Sequence, residues 1–292
     1  MKPAAFSYHR PRSLADAIAL LAEFGFDAKA IAGGQSLAPM MNMRLARPLH
    51  LVDLGGLPDL AGIERGAATL RIGAMTRHHD VATSEDVRAE CPLLAEAAAT
   101  IGHFAIRQRG TLGGSLANAD PAAQMPLIAR TLDARIEVAG PAGHREIATA
   151  DFVLAPMTTA LEPDEIVTAV RFPCFRAGEG YGFELFNRRH GDFAIAACAA
   201  TAVVEAGCFA HLRIGIGAVA DVSLGLEPLA AEFIGATADA ATIERIAAQA
   251  AANVELHDQA GISAAYRREL VQVLTARALT RAARVAGVAG VA

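Results

Sequence analysis

The chain has 292 residues, with 26 Lys+Arg against 31 Asp+Glu, a formal net charge of -5, 53% hydrophobic and 5% aromatic residues. No Lys/Arg-rich block occurs, so nucleic-acid binding has little support, and the longest apolar run, Phe193 to Val204, is well short of the roughly 20 residues a membrane span needs. Met1 to Ser7 lacks the apolar stretch of a secretory signal, and Cys91, Cys174, Cys198 and Cys208 are too widely spaced for an iron–sulfur ligand set, which leaves buried, reduced thiols in a cytoplasmic protein as the expectation.

In chain order, Ser13 and Asp16 form a capping-box-like start to a helix carrying Leu14, Ile18 and Leu21, ended by Gly25. Ala28 to Ala32 reads as a short buried strand running into Gly33-Gly34. Leu37 to Leu45 reads as a helix stopped before Pro48, and Leu49 to Leu54 as another strand. A hairpin is expected around Gly66, helices over Thr76 to Ala82 and Leu93 to Ile101, then a second glycine pair at Gly113-Gly114. Pro121 to Leu132 reads as a helix. Ala134 to Ala139 and His144 to Ala148 form a hairpin, and Ile166 to Phe172 is a strand. Pro and Gly cluster over Pro173 to Gly182, marking a boundary. Beyond it come strands at Tyr181 to Arg188, Ile195 to Glu205 and Ala210 to Val219. Helices follow at Glu227 to Ile234, Ala240 to Val254 and Ser263 to Val285, with a frayed tail from Ala286 to Ala292. The expected organisation is α+β: a first domain over 1–176, split at 57/58 into a small α/β unit and a mixed or antiparallel sheet with helices, then a C-terminal α+β domain over 177–292 with a three-stranded antiparallel sheet and a helix bundle.

The two glycine pairs are the chemical signal. Ala32-Gly33-Gly34-Gln35-Ser36-Leu37 and Thr111-Leu112-Gly113-Gly114-Ser115 each follow apolar sequence and precede small polar residues. Without Cβ, backbone N–H groups can approach an anion, and positive φ costs little. Converging in space, two such loops would grip the two phosphates of one dinucleotide. Neither loop matches G-x-G-x-x-G or G-x-x-x-x-G-K-[ST].

These loops, with Pro11-Arg12-Ser13-Leu14, Arg44-Leu45-Ala46-Arg47-Pro48, Ile72-Gly73-Ala74-Met75-Thr76, the continuation Leu116-Ala117-Asn118-Ala119-Asp120-Pro121 and Arg188-Arg189-His190-Gly191-Asp192-Phe193-Ala194, resemble the FAD-binding medium subunits of the molybdenum hydroxylases, in order over nearly the whole chain. The resemblance implies FAD held by Gly33, Gly34, Gln35 and Ser36 through backbone N–H groups and the Ser36 hydroxyl, flanked by Ala32 and Leu37. Thr111, Gly113, Gly114 and Ser115 would form the second half of the cradle, with Asn118 just beyond. Gln124 stands where relatives often carry an acid that accepts ribose hydroxyls. Ile101 and Val167 align with apolar residues against the flavin or adenine, and Asp192 and Phe193 with the region near the isoalloxazine. It also implies partners: a small subunit with two two-iron two-sulfur clusters and a large subunit with molybdenum–pterin cytosine dinucleotide, in a dimer of heterotrimers, cytoplasmic or peripheral on the inner membrane face. Electrons would pass from the clusters through FAD to an external acceptor. The alternative is a stand-alone FAD-dependent oxidoreductase with its own small substrate, for which His103 and His190 are the available acid–base candidates.

Other constellations carry less. His78-His79-Asp80 reads as a solvated helix start, because neighbouring helical residues point about 100° apart and no third ligand is spaced to join them. Arg107 and Arg109 read as alternating side chains of an extended segment. Cys174 reads as inert.

Overall fold

A computed structural model describes residues 2–258 and 261–288. The N-terminal lobe contains β1 (Ser7–His9), α1 (Leu14–Phe24), β2 (Ala28–Ile31), α2 (Leu37–Asn42) and β3 (His50–Asp53). Its parallel sheet runs β1-β3-β2. Ser13 caps α1 by accepting the Asp16 amide at 3.1 Å, and Ala17 and Leu21 turn inward onto Val52, Leu54, Leu57 and Leu60. Chain return after α2 is tighter than expected: the helix stops at Asn42, and Arg44 takes a φ of 61° to reverse direction.

The second lobe holds β4 (Ile63–Arg65), β5 (Thr69–Gly73), α3 (His78–Thr83), α4 (Glu85–Glu90), α5 (Pro92–Ala99), α6 (Phe104–Arg107), α7 (Leu112–Asn118), α8 (Gln124–Thr131), β6 (Arg135–Gly140), β7 (Gly143–Ala148), α9 (Thr149–Phe152), β8 (Val153–Ala155), β9 (Thr158–Thr159) and β10 (Ile166–Pro173). Its five-stranded sheet, β4-β5-β10-β6-β7, is antiparallel throughout. Arg107 and Arg109 do not lie in an extended segment: 104–107 closes into a helical turn, and the Arg107 guanidinium binds the carbonyls of Ile101 (3.0 Å) and Gly102 (3.1 Å).

The third lobe comprises β11 (Gly180–Phe186), β12 (Ala196–Glu205), β13 (Cys208–Gly217), β14 (Leu224–Gly225), α10 (Glu227–Glu232), α11 (Ala240–Asn253) and α12 (Ala264–Val285). The expected three-stranded sheet has a fourth strand, the two-residue β14 pairing with β13; so short a segment has no periodicity to read. The helices form a layer against this sheet rather than a freestanding bundle: α12 runs along β11, where a Cβ on Gly180 or Gly182 would come within 1.9 Å of Ala282 O or 2.1 Å of Ala278 O. The opposite face of the sheet is also buried. Ala197, Ala199 and Phe183 join the core of the second lobe, while Ala196, Cys198, Ala200 and Ala202 point toward the helical layer. This two-sided burial explains the unbroken apolar sequence of β12. Of the expected frayed tail, Gly287 closes onto Arg284 O at 3.0 Å; residues 289–292 lie outside the described residues.

Candidate functional site

The glycine pairs, distant in sequence, touch. A Cβ on Gly33 would sit 2.0 Å from Arg109 O and 2.8 Å from Gly110 Cα, and one on Gly114 would be 3.3 Å from Ala32 Cβ. Gly33 thus meets the backbone of Arg109 and Gly110, and Gly114 lies against the Ala32 side chain; the close approach at Gly33 exists only because that position lacks a side chain.

Their hydrogen-bonding states differ. Among the described residues, the amides of Gly33, Gly34, Gln35, Ser36 and Leu37 close no hydrogen bond onto the chain. The loop turns through Gly34 at φ 69°, its shape fixed from within by Gln35 Nε2 donating to Gly33 O at 3.0 Å and the Ala38 amide donating to Gly34 O at 3.0 Å. A run of unpaired N–H groups in a turn of this kind is an anion-binding concavity.

The amides of the second loop, 112–115, are all taken up by the chain. Leu112 donates to Thr76 O (3.0 Å), Gly113 to Ala74 O (2.8 Å), Gly114 to Thr111 Oγ1 (3.1 Å) and Ser115 to Thr111 O (3.0 Å). Gly113 is needed where α7 crosses the chain after β5, since its Cβ would lie 2.4 Å from Ala74 Cβ. What this loop offers outward is the half-buried surface of Gly114 and Ser115, with Asn118 farther along α7, its amide 3.8 Å from Met157 Sδ.

The segment 101–110 is a common floor. Gly110 precedes the second loop and Arg109 meets Gly33. On the other side, Gly191 packs so closely on His103 that a Cβ there would lie 2.7 Å from His103 Cε1. His103 and His190, the candidates for a stand-alone flavoenzyme, face each other across this seam with ring centroids 6.0 Å apart. The loop carrying Asp192 and Phe193 thus reaches the same floor; Asn187 holds it by donating to Asp192 O at 3.2 Å. Phe193 is not a core residue: 61% of it is exposed, as is 61% of Phe104. Ile101 is half-buried against the second-lobe core, Val167 is fully within that core, and Gln124 is buried with Nε2 at 3.4 Å from Thr100 Oγ1.

Sequence reasoning missed His78. The helix start was legible, its solvation was not: His78 is only 4% exposed. Its backbone amide donates to Gly110 O at 3.0 Å, and its ring lies directly under Gly110, with Cδ2 at 2.8 Å from where a Cβ would stand. Burial, then the charges of Arg107 and Arg77, push the imidazole down to about 4, so it is neutral near pH 7. The one signal in the sequence was Gly110 itself, an extra glycine ahead of the loop. Among the described residues no group of three or more His, Cys, Asp or Glu is placed to hold a metal ion.

Two family models match successive parts of the chain. Residues 4–175 match the model of the FAD binding domain in molybdopterin dehydrogenase, and residues 181–282 the CO dehydrogenase flavoprotein C-terminal domain. The carbon monoxide dehydrogenase medium chain of Afipia carboxidovorans is 39% identical over 282 residues, covering 97% of this chain and 98% of that one. The 6-hydroxypseudooxynicotine dehydrogenase complex subunit alpha of Paenarthrobacter nicotinovorans is 36% identical, covering 97% and 96%. Among solved structures, carbon monoxide dehydrogenase from Hydrogenophaga pseudoflava superposes with a TM-score of 0.95 at 37% identity, covering 98% of this chain and 99% of that one. Quinoline 2-oxidoreductase from Pseudomonas putida 86 gives 0.94 at 36%, covering 98% and 99%.

Proposed function

The chain belongs to the FAD-binding medium subunits of the molybdenum hydroxylases, and from that membership we propose how its residues hold the cofactor and whom it serves. It is the FAD-carrying, electron-transferring subunit of a multi-subunit oxidoreductase. The observation that carries the site assignment is the contact of Gly33 with Arg109 beside a loop whose amides have no partner among the described residues. A pyrophosphate fits there: the N–H groups of Gly33, Gly34, Gln35 and Ser36 donate to it, and the Ser36 hydroxyl adds a further donor. Ala32 and Leu37 flank the turn, and Thr111, Gly113 and Gly114 brace it from across the contact. Ser115 and Asn118 present polar side chains from α7, and Gln124 would supply its amide to the ribose hydroxyls.

Ile101 forms apolar wall, with Val167 packing in the same core. The loop bearing Asp192 and exposed Phe193 would cover the ring system from the third lobe. FAD held there would supply the redox chemistry, passing electrons from iron–sulfur centres to an external acceptor. The chain's own work is to orient the dinucleotide and keep water from its reactive edge.

The proposed partners are a small subunit with two two-iron two-sulfur clusters and a large subunit with molybdenum–pterin cytosine dinucleotide, assembled as a dimer of heterotrimers. No described helix is long and apolar enough to cross a membrane, and a cytoplasmic site, free or at the inner membrane face, suits such an assembly. The test is reconstitution of the full chain with FAD. The expected outcome is a yellow protein binding one FAD per chain, reduced on mixing with the reduced iron–sulfur partner; a chain left colourless overturns the assignment.

A further inference from the structure

We propose that His78 is a positioning residue for the cofactor site: its neutral imidazole, wedged beneath Gly110, holds the second glycine loop against Gly33, and its protonation frees that loop. The proposal rests on the reading of the paired loops as the flavin cradle.

The geometry is specific. Gly110 is clamped on two sides: its carbonyl accepts the His78 amide at 3.0 Å, and its amide donates to Ile106 O at 2.7 Å. The imidazole fills the remaining side, with Cδ2 and Nε2 at 2.8 and 3.2 Å from the missing Cβ. One residue earlier, Arg109 O is the atom that Gly33 abuts, and Arg77, next to His78, donates to that same carbonyl. A shift of the imidazole is therefore transmitted through Gly110 to the contact between the loops.

Electrically the pocket suits only a neutral ring. The Nδ1 atom is buried with no hydrogen-bond partner, and the charged groups acting on the ring are both cations, Arg77 beside it and Arg107 on the 104–107 turn. Among the described residues no carboxylate acts on it to stabilise an imidazolium. A buried nitrogen without a partner costs free energy, which a purely packing role would avoid with Phe or Leu. In the open loop the imidazole is solvated and regains its ordinary value of 6.5, against about 4 when closed. Acid thus favours opening, with opening growing about thirtyfold from about pH 7.5 to about pH 5.

The experiment is amide hydrogen exchange on the FAD-free full chain, read at residues 104–115 and corrected for the intrinsic pH dependence of exchange. The expected result is that rise in opening for the natural chain, against a change of less than about threefold in His78→Phe, whose ring fills the same space without titrating. Should His78→Phe not fold, His78→Asn carries the same comparison. A flat profile in the natural chain, or an undiminished rise in the variant, overturns the proposal. FAD titration of both proteins at about pH 7.5, where His78 is neutral, reports separately on the cradle itself. Loss of binding there with the exchange profile intact would sink the flavin reading and leave the latch standing.

Discussion

Gly33 and Gly34 are adjacent, yet the structure requires glycine at each for a different reason. At Gly33 an added methyl would meet the backbone carbonyl of Arg109 at 2.0 Å, an atom that cannot swing aside. At Gly34 the constraint is φ 69°, and the nearest obstacle is the flexible end of Ile31 at 3.2 Å. Gly33→Ala is expected to separate the loops and weaken FAD binding by more than about tenfold, or ~1.4 kcal/mol. Gly34→Ala should cost about 1–2 kcal/mol of backbone strain, read mainly as a lower melting temperature, with the loops still in contact. FAD titration and thermal melts of the two variants, side by side, separate these roles; identical behaviour would refute the distinction. In the sequence both glycine pairs look like the same device, because a turn signal is local. Much of the difference between them comes from partners far along the chain, Arg109 for Gly33 and Ala74 for Gly113, and the rest from the Thr111 hydroxyl that closes the second loop on itself. The burial of His78 was hidden for the same reason, since Gly110 lies well beyond its own helix.

Elements with local signals were legible, and those defined by contact were not. Ser13, Asp239 and Ser263 each cap a helix by accepting the amide three residues on, which a sequence displays directly. The long strands declare themselves through hairpin turns and apolar runs. By contrast α6, α7, β8, β9 and β14 are too short to show a period. The packing of α12 on β11 was also invisible, although Gly180 and Gly182 alternate on one face of the strand and meet Ala282 and Ala278, four residues apart on the helix. Tyr181 and Phe183 face the other way, toward the second-lobe core. Gly182→Val is expected to lift α12 from the sheet and destabilise the chain by about 1–3 kcal/mol or more. Gly178→Ala, where nothing lies within 4 Å but φ is 75°, should cost only the strain of about 1–2 kcal/mol. Denaturant midpoints of the pair check the ordering, and a Gly182→Val midpoint no lower than that of Gly178→Ala would contradict the packing argument.

For the molecule as a whole, acid should act in two separable windows. His78 lies below its ordinary value of 6.5 because burial, then Arg107 and Arg77, disfavour its charge. The folded state binds that proton less readily than the unfolded one, so its contribution is complete above about 6.5 and is lost as pH falls toward about 4. At 1.36 kcal/mol per pH unit this is at most about 3.4 kcal/mol. Glu137 acts lower. Burial alone would raise its carboxyl, but hydrogen bonds and charge from Arg71 (2.9 Å) and Arg171 (2.5 Å) hold it below 4.5. Its stabilisation is present above 4.5 and disappears as pH drops through the lower, folded-state value. Both groups tie elements of the second lobe to the chain around them, Glu137 joining the strands β5, β6 and β10, and His78 joining the helix α3 to the cradle. Urea unfolding across the acid range should show the natural chain losing stability in both stretches. His78→Phe should flatten the upper stretch and leave the lower one. Glu137→Gln should lower stability near neutral pH, because two guanidinium groups lose their carboxylate, and make the decline below about 4.5 shallower. If the two substitutions altered the same part of the curve, the acid response would have to be assigned to other groups.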